Sequence, residues 1–87
     1  MNTHMGFTLK EVNKHKKKGD LWIIINNKIY DISEFLKYHP GGKKILLKNG
    51  GKDISNTFPL IKSHIRNWDR INEQLQSMFV GYLIEND

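Results

Sequence analysis

The stretch YDISEFLKYHPGG, from Tyr30 to Gly42, decides the fold of this 87-residue chain. It begins as an apolar strand and enters a helical turn that Asp31 or Ser33 can cap. Pro40 disfavours a helical conformation at the preceding residue, so His39 is predicted to end the helix with its ring projecting outward. The two glycines that follow permit a sharp turn beside something large and flat. The stretch is therefore typical of a loop that presents a histidine to a ligand.

A second histidine, His64, lies 25 residues after His39, beyond another segment with helical character. The run LWIII at 21–25 precedes the central stretch, and GGKD at 50–53 and Phe58 follow it. Together these features resemble the haem-binding core of the cytochrome b5 family, over roughly residues 7–83. The resemblance implies an α+β fold in which two pairs of short helices form a haem cleft on a small mixed β-sheet.

The resemblance also implies a site. His39 and His64 stand where the family places the two axial ligands of a non-covalently bound haem b. Two imidazole donors fill both axial positions of the iron, which favours electron transfer over activation of oxygen or peroxide. The HPGG turn contributes Pro40, Gly41 and Gly42. The apolar residues expected around the cofactor are Phe35, Ile45, Leu46 and Phe58, with Ile61, Leu75 and Phe79 as additions; each of them would equally suit an ordinary hydrophobic core.

Length and composition predict one small domain. We expect residues 1–6 to be a disordered tail or a cloning remnant and residues 7–85 to form the haem-binding domain. The chain has no cysteine, which excludes disulfide bonds and thiolate zinc sites. We therefore expect a bound cofactor to stabilise so small a core. No apolar run could cross a bilayer and the N-terminus has no apolar signal region. These patterns predict a soluble, cytoplasmic, monomeric protein without a transmembrane segment.

Charge sets this sequence apart from the familiar microsomal member of the family, whose exposed haem edge is ringed by carboxylates. The net charge is +5, from twelve lysines and two arginines against nine acidic residues. Four lysines lie along one predicted helix and the turn after it: Lys43, Lys44, Lys48 and Lys52. They are either a solvated face or a docking patch for an acidic redox partner.

Three functions are compatible with these features. The leading one is a one-electron carrier, itself not an enzyme, that is either free or the haem domain of a larger oxidoreductase. The second is a haem or small-ligand binding or trafficking module of the same fold. The third is a basic nucleic-acid-binding domain; the scarcity of arginine argues against it, and it leaves the HPGG turn unexplained.

The remaining elements are predicted from local patterns. Thr8 to Glu11 reads as a capping box that starts a helix through about Lys16, with His15 exposed and without function. The pair Asn26-Asn27 predicts a two-residue hairpin. No internal repeat is recognised. The other expected elements are a helix over 43–48 stopped by Gly50-Gly51, a helical turn over 53–58 ended by Pro59, a helix from Arg70 to about Met78, and a strand over 79–83.

Overall fold

The computed structural model of the chain describes residues 5–38, 43–59 and 68–84. Nine helices and strands have bounds within these residues. The strands are β1 (Gly6–Phe7), β2 (Lys16–Lys17), β3 (Asp20–Ile25), β4 (Lys28–Asp31) and β5 (Phe79–Leu83). The helices are α1 (Leu9–Val12), α2 (Ser33–Tyr38), α3 (Lys43–Lys48) and α4 (Trp68–Ser77).

The five strands form one mixed sheet in the order β1-β5-β4-β3-β2. The β1–β5 pair is parallel and the other neighbours are antiparallel. Strand pairing begins at Gly6, one residue before the expected start of the domain, and the Met5 carbonyl also accepts a hydrogen bond from the Tyr82 amide (2.8 Å). The mixed sheet with short helices confirms the predicted fold class.

The β3–β4 hairpin forms as its turn residues predict. Asn26 and Asn27 have φ angles of 50° and 67°, the left-handed values that a two-residue type I′ turn requires. Asparagine tolerates this region better than most side chains do. The turn sets the register in which Ile23 faces Tyr30 and Ile24 faces Ile29.

Helix α1 is shorter than predicted. The capping box is present: the Glu11 amide donates to Thr8 Oγ1 (3.1 Å) and the Thr8 amide donates to Glu11 Oε1 (2.9 Å). The second bond lowers the pKa of Glu11. The helix nevertheless ends at Val12, because the chain turns and pairs as β2 with the start of β3. The prediction of helix through Lys16 was wrong, since this pairing involves distant residues that local propensity does not report.

Helices α2 and α3 follow the predicted bounds closely. Asp31 caps α2, because its Oδ1 accepts from the Ser33 amide (3.1 Å). After α3 the chain reverses at Gly51, whose φ is 71°. Gly50 has a different role: a Cβ there would lie 2.2 Å from Leu21 Cδ1, so glycine lets this turn pack against β3.

Two expectations for the second half of the chain need correction. Residues 55–57 form a turn, and Phe58 and Pro59 are themselves helical, so Pro59 does not end a helix there. Proline is tolerated in the first turn of a helix, where its missing N–H would have no partner. The last helix, α4, starts at Trp68, two residues before the predicted Arg70, and ends at Ser77. Strand β5 has its predicted bounds.

The sheet separates two apolar clusters. The upper cluster lies on the face that α2, α3 and α4 cover, and its buried members are Leu21, Ile23, Ile25, Ile32, Phe35, Leu46, Ile54 and Leu75. The lower cluster lies on the opposite face, and its buried members are Val12, Ile24 and Ile29. Because β3 contributes to both, its uninterrupted apolar run is explained by burial on two faces.

Among the described residues, no helix is both long and apolar enough to cross a bilayer. The cytoplasmic localisation stays a prediction.

Candidate functional site

Four residues that the sequence assigns to the cofactor pocket meet in the upper cluster. Phe35 of α2 is 5% exposed, Leu46 of α3 is 2% exposed and Leu75 of α4 is 7% exposed. Phe58 is partly buried and packs against them. Three helices that are distant in sequence therefore direct apolar side chains to one place above the sheet.

Other assigned residues lie outside the described part of the chain. These are His39, Pro40, Gly41, Gly42, Ile61 and His64. Ile45 and Lys43 belong to α3, but their side chains are outside the description as well. In sequence, His39 follows the last residue of α2 directly, and His64 precedes α4 by four residues. Their ligand roles remain predictions.

Phe79 does not join the upper cluster, contrary to its assignment. It is 38% exposed, and its ring makes edge contacts with Tyr30 (centroids 6.0 Å apart) and Tyr82 (5.1 Å). These three rings, with Lys28 and Gln76, line an open cleft of about 220 Å³. The β4–β5 pairing has a register shift between Ile29 and Tyr30, and it sets Phe79 opposite Tyr30.

Burial, with a smaller contribution from Tyr82, raises the pKa of Tyr30. The tyrosine therefore stays neutral at physiological pH, and it places an uncharged ring between the cleft and the upper cluster.

Sequence reasoning missed two residues of the upper cluster that hold the helices to the sheet. Ile32 and Ile54 are 2% and 1% exposed. Each is the middle residue of an Asp-Ile-Ser triplet, at 31–33 and 53–55. A single isoleucine between two polar residues was a weak signal, but its occurrence twice, each time before a phenylalanine, could have identified both positions.

The upper cluster fits an apolar macrocycle. The described residues include no buried polar or charged side chain and no buried side-chain nitrogen or oxygen without a hydrogen-bond partner. They also hold no group of three or more His, Cys, Asp or Glu side chains that could bind a metal ion by themselves. The apolar chemistry of this part of the chain therefore suits the faces of a porphyrin.

The described lysines of the predicted docking patch are exposed. They are Lys44 and Lys48 on α3 and Lys52 after it. Lys44 and Lys48 are four residues apart on a helix and so share a face. The adjacent Asp53 carboxylate accepts bonds from the amide and the hydroxyl of Ser55 (2.9 and 2.6 Å).

His15 is more buried, and makes more side-chain contacts, than the sequence predicted. Its ring stacks on Trp22 with centroids 3.7 Å apart, and its Nδ1 lies 2.6 Å from Asp20 Oδ1. Its side chain is 30% exposed, so His15 is partly buried and the prediction that it is exposed was wrong. Trp22 packs against the lower cluster, on the face of the sheet opposite to α2, α3 and α4, which gives His15 a structural role.

Comparison with known families identifies this arrangement. The family described as "Cytochrome b5-like Heme/Steroid binding domain" matches residues 8–84.

Individual relatives agree with the family match. Cytochrome b5 of Rhizopus stolonifer is 44% identical over 79 residues, which cover 91% of this chain and 57% of the relative. Nitrate reductase [NADH] 1 of Phaseolus vulgaris is 36% identical over 88 residues, which cover the whole of this chain and 9% of the relative. The chain thus spans somewhat more than half the length of the cytochrome b5 relative and a small part of the enzyme.

Two solved structures have the same fold. Cytochrome b5 of Ostreococcus tauri virus 2 superimposes with a TM-score of 0.70 at 33% identity, covering 90% of this chain and 95% of the other. Cytochrome b558 of Ectothiorhodospira vacuolata, described as a prokaryotic homologue of cytochrome b5, gives a TM-score of 0.78 at 26% identity. That match covers 93% of this chain and all of the other.

Proposed function

Because the chain belongs to the cytochrome b5 family of haem-binding domains, we propose that it carries single electrons on a haem b whose iron is bound by His39 and His64. When bound, the haem supplies an iron centre that accepts and releases one electron. The protein contributes the pocket, the two donors and the surface that meets redox partners.

One observation carries the proposal: α2, α3 and α4 bring Phe35, Leu46 and Leu75 together above the sheet. In sequence, His39 follows the last residue of α2 directly, and residues 39–42 connect α2 to α3. A ligand placed against this cluster would therefore contact the two helices that the HPGG motif connects.

The chain's own residues have three roles in this proposal. Apolar side chains of the upper cluster would cover the macrocycle and exclude water. Low polarity around the iron would disfavour the form with the greater positive charge, which is the oxidised one. The two histidines would donate neutral imidazole nitrogens and leave no position for oxygen.

The visible absorption spectrum tests this function. The purified protein, with haem added to one equivalent, should give a low-spin ferric spectrum and sharp, split visible bands on reduction with dithionite. A colourless protein that refuses added haem would contradict the proposal and favour the small-ligand module.

We propose further that Lys43, Lys44, Lys48 and Lys52 dock an acidic redox partner. Support comes from the exposure of Lys44, Lys48 and Lys52 and from the position of α3 next to the HPGG turn. Opposite charges would raise the encounter rate, and salt would weaken the attraction.

Charge reversal at Lys44, Lys48 and Lys52 to Glu should slow electron transfer to an acidic partner at low salt by roughly tenfold or more. It should also lower the reduction potential, since removing nearby positive charge favours the oxidised iron. Stopped-flow rates at several ionic strengths and a potentiometric titration measure the two effects.

The matched control reverses Lys10, Lys18 and Lys28, which are equally exposed and lie outside α3 and its turn. It changes the net charge by the same amount and should leave the rate much closer to the parent's. Equal slowing by both triple variants would show that only the net charge matters.

A further inference from the structure

The triplet Asp-Ile-Ser occurs twice in the chain, at 31–33 and 53–55, and both copies make the same local bonds. In the first, Asp31 Oδ1 accepts from the Ser33 amide (3.1 Å) and hydroxyl (2.6 Å). In the second, Asp53 Oδ1 accepts from the Ser55 amide (2.9 Å) and hydroxyl (2.6 Å). In each copy the aspartate therefore orients the serine hydroxyl, whose oxygen remains able to accept a further bond.

Both serine oxygens accept that bond from the backbone of the β3–β4 hairpin, one from a residue of β3 and one from the residue that follows β3. The Leu21 amide donates to Ser33 Oγ (2.9 Å), and the Asn26 amide donates to Ser55 Oγ (2.8 Å). The isoleucine amides bind the same strand: Ile32 donates to the Leu21 carbonyl (2.9 Å) and Ile54 to the Ile24 carbonyl (2.8 Å). Each triplet is thus held by two hydrogen bonds to the backbone of β3 or of the residue after it, and we call each pair of bonds an attachment.

The two attachments lie on opposite edges and at opposite ends of β3. The Leu21 bonds continue the β3–β4 pairing, so they are on the β4 edge. The Ile24 carbonyl and the Asn26 amide face the other edge, where Ile24 also makes a parallel bridge with Asp53. Asn26 is five positions after Leu21, which corresponds to about 16 Å along an extended strand.

Each attachment begins a segment that leads to one of the two predicted ligands. Ser33 is the first residue of α2, and His39 lies six residues after it. Ser55 starts the turn before Phe58, and His64 lies nine residues after it. Both isoleucines are buried in the upper cluster, so both segments leave β3 on the same face of the sheet.

We infer that Ser33 and Ser55 are positioning residues that fix the two ligand-bearing segments on a common strand and so set the relative placement of the two axial imidazoles. This inference rests on the proposed haem ligation. Loss of the Ser33 hydroxyl should have a larger effect than loss of the Ser55 hydroxyl. Leu21 is fully buried, so loss of Ser33 Oγ leaves its amide without a partner, whereas Asn26 is exposed and water can replace Ser55 Oγ.

The test compares Ser33→Ala and Ser55→Ala in the haem-loaded protein. The ferric low-spin g-values from electron paramagnetic resonance report the relative orientation of the imidazoles, and transfer to apomyoglobin reports haem release. We expect shifted g-values in both variants, with haem release roughly tenfold faster for Ser33→Ala and about two- to threefold faster for Ser55→Ala. Ser33→Thr and Ser55→Thr keep the hydroxyl and should restore both measurements.

Ser77→Ala is the matched control, because Ser77 Oγ donates to the Gln74 carbonyl within its own helix, α4 (2.6 Å). It should leave the g-values and the release rate at the parent's values. If Ser33→Ala and Ser55→Ala lower the free energy of unfolding but keep the parent's g-values and release rate, the serines only stabilise the fold and the inference is overturned.

Amide hydrogen exchange separates this inference from the proposed function. Ser33→Ala should accelerate exchange at Leu21 and spare Asn26, and Ser55→Ala should do the reverse. Equal acceleration at both amides in both variants would overturn the idea of two separate attachments. A parent protein without a low-spin haem signal would instead overturn the proposed ligation, whatever the exchange pattern.

Discussion

Replacing His39 or His64 by alanine should abolish the low-spin haem spectrum. Each variant loses one strong-field nitrogen donor, so the iron should become high-spin or five-coordinate. Haem release on dilution should accelerate by at least about 100-fold, since even the loss of a residue that only supports a ligand costs 10- to 100-fold in metal affinity. Absorption and electron paramagnetic resonance spectra of the ferric protein measure the change of spin state.

His15→Ala is the control for both histidine variants. His15 stacks on Trp22 and binds Asp20, on the side of the sheet away from the upper cluster. Its replacement should lower stability modestly and preserve the low-spin spectrum. An unaltered low-spin spectrum in His39→Ala or in His64→Ala would remove that residue from the ligand set.

Phe35→Ala should destabilise the protein by about 3–5 kcal/mol, the usual cost of a phenylalanine cavity in a core. Phe35 is 5% exposed and belongs to the upper cluster, so its loss should also loosen the pocket and accelerate haem release. Urea denaturation followed by circular dichroism gives the free energy of unfolding. Phe35→Leu, which keeps most of the volume, provides a measurable variant if alanine prevents folding.

Phe79→Ala is the matched control, because the same side chain is removed from an exposed site. We expect a loss of about 1 kcal/mol, from its ring contacts with Tyr30 and Tyr82, and a haem-release rate close to the parent's. If Phe79→Ala lowered the free energy of unfolding as much as Phe35→Ala does and also accelerated haem release, Phe79 would be a pocket residue after all.

The sequence predicted the elements that short-range interactions determine. The capping box of Thr8 and Glu11 and the Asn26-Asn27 hairpin involve residues at most three apart, and both formed as expected. Apolar side chains of β3 are buried on both faces of the sheet, which explains why its apolar run is uninterrupted.

The errors came from contacts between distant residues. Lys16 pairs with Leu21 as a strand because β3 offers a free edge there, and this pairing ends α1 early. The triplet at 53–55 gains its structure from contacts with residues about 30 positions away, which local sequence patterns do not report. Phe79 was assigned by its apolar character alone, which does not report that its ring lies partly exposed beside Tyr30 and Tyr82 in an open cleft.

The candidate site could be predicted only in part. Four of its apolar residues meet in the upper cluster, as the resemblance to the cytochrome b5 family implied. The two histidines were identified by their motif and spacing, and they lie outside the described residues, so spectroscopy must test them.

A spectroelectrochemical titration of the haem-loaded protein shows whether the chain carries single electrons on a haem bound by His39 and His64. We expect a single reversible one-electron transition between two low-spin states, each with two nitrogen ligands. A high-spin iron in either oxidation state, or a protein that retains no haem during the titration, would contradict it.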